Sequence, residues 1–277
     1  MNLNDITIII TTFRSDEKIS SCLDSINRQV KVIIIENSGS QKLKKLIENK
    51  YSNVDYVISD ENLGYAKANN LGLKRVKSKF ALVLNPDTTL KENALDEFLK
   101  TASKNPDFFL IGPSTNQGIS FENKTQIKEV KNLKGFAIFF NMNKFDDNIF
   151  FDENYFLYFE EIDLCRGVNN KKGKIYLDPK IEIYHEGAKS ADQLDSFELE
   201  KNRNWHWMWS TFYYHKKYNN FFYSLIIILP KLLSALARTI FYTLIFNKKK
   251  RDIYYSRLSG ILNSIIGKKS WHRPSLD

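Results

Sequence analysis

Three short stretches of this 277-residue chain hold side chains able to do chemistry together. The first is Leu84-Asn85-Pro86-Asp87, where an apolar run ends in an amide, a proline and a carboxylate. Proline cannot donate to a sheet ladder, so the strand stops there and Asp87 is presented from a fixed position. A carboxylate so held suits a hard divalent cation, Mg²⁺ or Mn²⁺, set against a diphosphate. Asn-Pro-Asp is also good turn chemistry. The second stretch is Glu160-Glu161-Ile162-Asp163, which follows the aromatic run 155–159. Carboxyl groups beside aromatic rings are partly desolvated, which raises a pKa and suits a general base. Acids in the first turn of a helix also complement its dipole, and both roles can hold at once. The third is His185, which ends the strand-like run 181–184 and is relevant to Asp87 only if the chain brings the two together.

A fourth stretch, Glu61-Asn62-Leu63-Gly64-Tyr65-Ala66-Lys67, places a glycine just before a helical pattern. Glycine allows backbone to approach a phosphate, a helix N-terminus favours its charge, and Lys67 would add a point charge. A plain loop-to-helix cap has the same composition. Neither a G-x-G-x-x-G fingerprint nor a P-loop is present.

The elements that must position these groups follow from apolar periodicity. Residues 6–12, 30–35, 54–58, 80–84 and 108–111 read as buried strands. Helical patterns lie between them: one after Ser15, expected as its N-cap, then 43–47, 66–76 and 94–102. Strands alternating with helices predict parallel crossovers and a doubly wound α/β sheet, with ligands at the carboxyl ends of the strands. Three of those ends are polar: Thr11-Thr12, Glu36-Asn37-Ser38 and Asn85-Pro86-Asp87. Further on, 135–141 reads as a strand, 155–167 contains a helix, and 174–177 and 181–185 read as short strands.

Taken in order, these motifs resemble the family-2 glycosyltransferases of GT-A fold, and within them the bacterial rhamnosyltransferase-like branch. The matching features are the strand end Thr11-Thr12, then Glu36-Asn37-Ser38, and the pattern Asn62, Gly64, Tyr65, Ala66 and Asn70. They continue with Leu84 to Asp87, the run from Phe151 to Cys165, and His185. The resemblance covers residues 6–190 and implies a GT-A catalytic domain over 1–200. Its nucleotide-sugar half would be about 1–112 and its acceptor half about 113–200. It further implies that Asp87 and His185 hold Mn²⁺ or Mg²⁺ against the diphosphate of a nucleotide-sugar. Thr11, Thr12, Glu36, Asn37, Asn62, Gly64, Lys67 and Asn85 would line the donor site. Glu161 would be the base of an inverting displacement, with Asp163 its rival and Glu160 on the acceptor side. Three departures stand out: Glu36 and Glu161 each replace an Asp, and Arg166 precedes the place of the usual basic residue, taken here by Gly167.

Composition adds a partner. The net charge is +9, yet residues 201–277 carry 14 Lys and Arg against 2 Asp and Glu, a local +12. Such a tail calls for an anionic surface. Its apolar run 221–246, broken by Pro230 and followed by Lys248-Lys249-Lys250-Arg251, reads as an in-plane membrane helix in preference to a span. A helical subdomain packed on the body or on a homodimer partner is the plainer reading. Trp205, His206, Trp207 and Trp209 read as packing or a membrane-interface belt rather than a nucleic-acid platform. No nucleic acid is expected as a partner. The expected acceptor is a saccharide or a polyprenyl-diphosphate-linked chain, and the expected location the inner face of a bacterial plasma membrane. Cys22 and Cys165 lie far apart in the chain and fit a reducing compartment, and the opening residues lack the basic start of a signal peptide. The remaining alternatives are a UDP- or GDP-hexose or galactofuranose donor, a catalytically inactive scaffold, or a nucleic-acid-binding protein using the basic tail.

Overall fold

A computed structural model describes residues 1–114, 126–145, 149–187 and 196–274. The chain divides into two compact units. The first comprises Met1–Asp152 and Glu161–Asp192, the second Glu153–Glu160 and Gln193–Asp277.

The first unit is built on an eight-stranded sheet. In chain order its strands are β1 (Ile6–Thr12), β2 (Lys31–Glu36), β3 (Val54–Ile58), β4 (Phe80–Leu84), β6 (Phe108–Pro113), β7 (Lys128–Glu129), β8 (Ala137–Asn141) and β9 (Lys174–Asp178). Their spatial order is β3-β2-β1-β4-β8-β6-β9-β7. The β3-β2-β1-β4 half is parallel, as the alternation of strands and helices requires. β8 then runs antiparallel between β4 and β6, so its N-terminal end meets the carboxyl end of β4. Two further strands, β5 (Thr88–Leu90) and β10 (Ile183–His185), form a separate antiparallel pair.

The β-branched runs Ile6–Thr12 and Lys31–Glu36 supply residues buried on both faces of the sheet. One face packs a large core against α1 (Ile19–Asp24), α2 (Lys44–Lys50) and α4 (Ala94–Lys104), with Phe98 stacked on Phe139 of β8 at 4.8 Å. The other face receives α3 (Gly64–Leu73), whose Ala68 packs on Ile33 and Ile35. Gly72 permits that approach, because a β-carbon there would lie 2.5 Å from Ile9 Cγ2. Helix α5 (Glu160–Asn170) follows the aromatic run.

Two expectations fail locally. Ser15 does not cap α1: the helix begins at Ile19 after Lys18, while the Ser15 hydroxyl turns back to Phe13. The third helix ends at Leu73, before Val76.

The second unit holds α6 (Ser196–Tyr218), α7 (Phe221–Leu244) and α8 (Lys248–Ile265). Met208, Phe212, Ile228 and Ile261 form its core. Gly260 lets α8 come close to α6, since a β-carbon there would fall on the Trp205 carbonyl oxygen. Trp205, His206 and Trp209 are buried in packing, with Trp209 Nε1 donating to the Lys268 carbonyl at 3.0 Å.

Candidate active site

The turn after β4 is closed by the Thr88 hydroxyl, which donates to the Asn85 carbonyl at 2.6 Å. Pro86 ends the ladder, and the chain leaves as β5 to pair with β10, Thr88 opposite His185. The pairing extends one step further, where the Glu186 N–H donates to the Asp87 carbonyl at 3.1 Å. Three residues of strand on each side thus bring together two groups 98 positions apart in sequence: His185 Nε2 lies 3.4 Å from Asp87 Oδ1. The imidazole is fixed from behind by Phe136, stacked at 4.7 Å with planes 9° apart. Phe136 is itself tied to the turn, its carbonyl accepting from the Asn85 N–H at 2.9 Å.

Asp87 is the chemical anomaly of this arrangement. Its side chain is 1% exposed, and neither carboxylate oxygen accepts a hydrogen bond from the described residues. A buried carboxylate without donors is costly. An imidazole nitrogen beside two unused carboxylate oxygens is the donor set of a divalent cation, so the residues present fit Mn²⁺ or Mg²⁺. Among the described residues no group of three or more His, Cys, Asp or Glu side chains gathers. A cation held by Asp87 and His185 would have two protein ligands and would need oxygens from water or substrate to complete its shell, as Mg²⁺ does at phosphate sites.

Residue 135, one position before Phe136, carries the link to the acid cluster. Glu161, in the first turn of α5, lies over Gly135: a β-carbon at that glycine would sit 3.6 Å from Glu161 Cβ and Cγ and 3.7 Å from Cδ. Burial pushes the Glu161 carboxyl above the usual range, against the opposing pull of the Glu161 and Ile162 N–H groups and Lys134. Glu160 and Asp163 are buried. The segment is braced by α3: the Tyr65 hydroxyl donates to the Gly135 carbonyl at 2.6 Å. The Asn70 amide donates to the Phe151 carbonyl and accepts from the Phe151 N–H, at 2.9 and 3.0 Å.

The residues expected on the donor side form a second network at the ends of β1 and β2. Thr11 donates to Asn69 at 3.0 Å. Asn37 donates to the Gly64 carbonyl at 3.0 Å and accepts from the Leu63 N–H at 2.9 Å, which fixes the entry to α3. The Gly64 N–H is taken by Asn62 at 3.1 Å, and Gly64 has the positive φ, +75°, that glycine adopts freely. Lys67 is paired with Glu61 at 3.2 Å on the surface. Glu36 is buried and saturated: Oε2 accepts from Thr12 at 2.6 Å and Tyr56 at 3.2 Å, Oε1 from the Ser38 N–H at 2.7 Å and hydroxyl at 2.5 Å. Sequence reasoning missed Phe136, Gly135 and Tyr56, and had Tyr65 only as a member of the glycine-containing motif. Their one signal was Gly135-Phe136 opening an apolar strand.

Comparison with known proteins follows the same geometry. The model of the family described as glycosyl transferase family 2 matches residues 7–166, which include Asp87 and Glu161. The chain is 24% identical over 190 residues to the low-salt glycan biosynthesis hexosyltransferase Agl10 of Haloferax volcanii, covering 59% of this chain and 61% of that one. It is 25% identical over 218 residues to the rhamnosyltransferase WbbL of Escherichia coli K12, 64% of this chain and 82% of that one. The mannosyltransferase PcManGT from Pyrobaculum calidifontis, solved with GDP-Man and Mn²⁺, superposes with a TM-score of 0.60 at 11% identity, over 96% of this chain and 88% of that one. That likeness shows the fold, which is GT-A. With the parallel half of its sheet, its turn at Asp87 and its acid cluster at Glu160–Asp163 inside the matched region, the chain belongs to glycosyl transferase family 2.

Proposed function

We propose that the protein transfers a sugar from a nucleotide-sugar to a hydroxyl of a saccharide or lipid-linked acceptor, with inversion and with a divalent cation. The observation that carries this is the buried, donor-free carboxylate of Asp87 against His185, whose ring stacks on Phe136, the neighbour in sequence of the glycine that Glu161 covers. Asp87 and His185 hold Mn²⁺ or Mg²⁺. Bound there, the cation supplies positive charge against the diphosphate that leaves. Glu161 takes the proton of the acceptor hydroxyl as its oxygen attacks the anomeric carbon. The bond from that carbon to the diphosphate breaks on the opposite face. A single displacement needs one base and no covalent intermediate, and a carboxyl raised by burial is a better proton acceptor than an exposed one. Asp163 is the alternative base, and Glu160 serves the acceptor. The α3 entry, with Asn37, Asn62 and Gly64, shapes the donor side alongside Thr11 and Asn85. Glu36 acts through Thr12 and Ser38, which it orders.

The first candidate donor is dTDP-L-rhamnose, supported by the similarity to WbbL. UDP- and GDP-hexoses follow, in line with the similarity to the hexosyltransferase Agl10. The basic second unit suits work at the inner face of a plasma membrane, on surface-polysaccharide precursors.

The test is thermal stabilisation by a panel of nucleotide-sugars with and without Mn²⁺, since only a ligand of the native state raises the midpoint. One donor class stabilises in the presence of Mn²⁺, and Asp87→Asn removes that dependence. Stabilisation by no nucleotide-sugar, or equal stabilisation of wild type and Asp87→Asn, overturns the reading.

A further inference from the structure

Helix α7 divides lengthwise into strips. Ser224, Ile228 and Ala235 are buried, and Leu225 and Leu232 pack beside them in the core formed with α6 and α8. At about 100° per residue these positions fall on one side. Lys231, Ser234 and Arg238 share a second strip. The rest is an apolar strip that nothing in the second unit covers: Phe222, Ile226, Leu233, Leu236, Ile240 and Leu244, with Leu233 55% and Leu244 72% exposed. Just beyond the helix, Phe246 is 93% exposed beside the exposed Lys248, Lys249 and Lys250.

Among the described residues α7 is the one helix long and apolar enough to cross a membrane by length and composition. Its partners decide against that. The Arg238 guanidinium donates to the Tyr254 hydroxyl of α8 at 2.6 Å, and Tyr242 stacks on Tyr254 at 5.5 Å. Arg257 lies over the same Tyr254 ring at 5.2 Å, and Arg251 and Asp252 pair on α8. A spanning α7 would carry these charges into hydrocarbon. A second copy is a poor cover for the strip, because a twofold contact would set one +12 region against another. An anionic lipid surface matches both the apolar strip and the positive rim.

We infer that α7 lies in the plane of one leaflet of an anionic bilayer, with the strip from Phe222 to Leu244 inserted among the acyl chains. Lys248, Lys249 and Lys250 rest on the headgroups, and both ends of the helix stay on one side of the membrane. This deepens the membrane location given with the proposed function and rests on it. Donor hydrolysis, measured on the same preparations, reports separately on the transfer chemistry.

The test uses the full chain. In flotation with vesicles of mixed phosphatidylcholine and phosphatidylglycerol, wild type floats, and Leu233→Glu and Ile240→Glu each lower the bound fraction at least about tenfold. Both sites are exposed, so thermal midpoint and donor hydrolysis stay unchanged. Replacing phosphatidylglycerol by phosphatidylcholine, or Lys249 by Glu, weakens binding about fivefold or more. In sealed membrane vesicles, Asn220→Cys and Lys248→Cys variants are labelled by an impermeant maleimide from the same side. Labelling from opposite sides overturns the inference in favour of a span. Loss of a solution dimer in Leu233→Glu, with vesicle binding intact, overturns it in favour of a second copy. Equal flotation of wild type and Leu233→Glu overturns it outright.

Discussion

At the scale of single residues, the account turns on carboxylates in unlike surroundings. Asp87 is buried without donors, Glu161 is raised by burial at a helix start, and Glu36 is saturated by four donors. Glu161→Gln keeps the shape and removes the proton acceptor. Transfer falls by about 10²–10⁴, while donor affinity stays within about twofold, read by initial rates and equilibrium titration. Because the folded pKa of Glu161 lies above the usual value, the acid limb of the pH–rate profile falls off at a higher pH than for an exposed glutamate. Transfer decreases as pH drops through that limb. A profile whose acid limb matches an unperturbed carboxylate contradicts the assignment. Glu36→Gln puts an NH₂ group where donors converge. Leaving Ser38 or Thr12 unsatisfied in a buried site costs about 1–3 kcal/mol, visible as a lower denaturant midpoint.

At the scale of elements, close approaches carry their own predictions. Gly72→Ala crowds Ile9, and Gly260→Ala strikes the Trp205 carbonyl, which is backbone and cannot swing aside. Each costs about 1–3 kcal/mol by overpacking, with Gly260→Ala the larger, measured by chemical denaturation. The elements were also where the sequence spoke most clearly. The β-branched runs and apolar helix faces between Ile6 and Lys104 supplied every strand and helix of the parallel half, within a few residues. Most of the motifs on which the resemblance rests lie in the same stretch, within the residues that the family model matches. The pairing of β5 with β10 was not legible. Three-residue strands carry no periodicity, and their register is set by non-local closure over Asp87. The same limit hid Phe136 and the contact of Tyr65 with Gly135, which depend on which strand lies beside β4. Ser15 misled because a serine before acids resembles a cap, yet its hydroxyl found a nearer partner in the Phe13 backbone.

At the scale of the whole molecule, each unit has its own sensitivity. The second unit buries His206, whose Nε2 faces the His272 carbonyl at 2.9 Å and so carries the proton, leaving Nδ1 to accept from Ser270. Burial lowers its pKa to about 3. An unfolded histidine titrates near about 6.5, so between about pH 6.5 and 3 the unfolded chain binds a proton that the folded one refuses. Stability of the second unit therefore falls as pH drops through that window, fully present above about pH 6.5 and progressively lost below it. Thermal melts of wild type and His206→Gln between neutral and acid pH check this. The wild-type midpoint drops more steeply, and parallel curves contradict it.

The central claim, that Asp87 and His185 form a cation-dependent diphosphate site beside Glu161, is tested most directly by calorimetric titration of the donor's nucleoside diphosphate with and without Mn²⁺. The measurement is made on wild type, Asp87→Asn and Glu161→Gln. The account predicts Mn²⁺-dependent binding that is kept in Glu161→Gln and loses its Mn²⁺ dependence in Asp87→Asn. Binding that is indifferent to Mn²⁺ in wild type, or equally Mn²⁺-dependent in a folded Asp87→Asn protein, contradicts it.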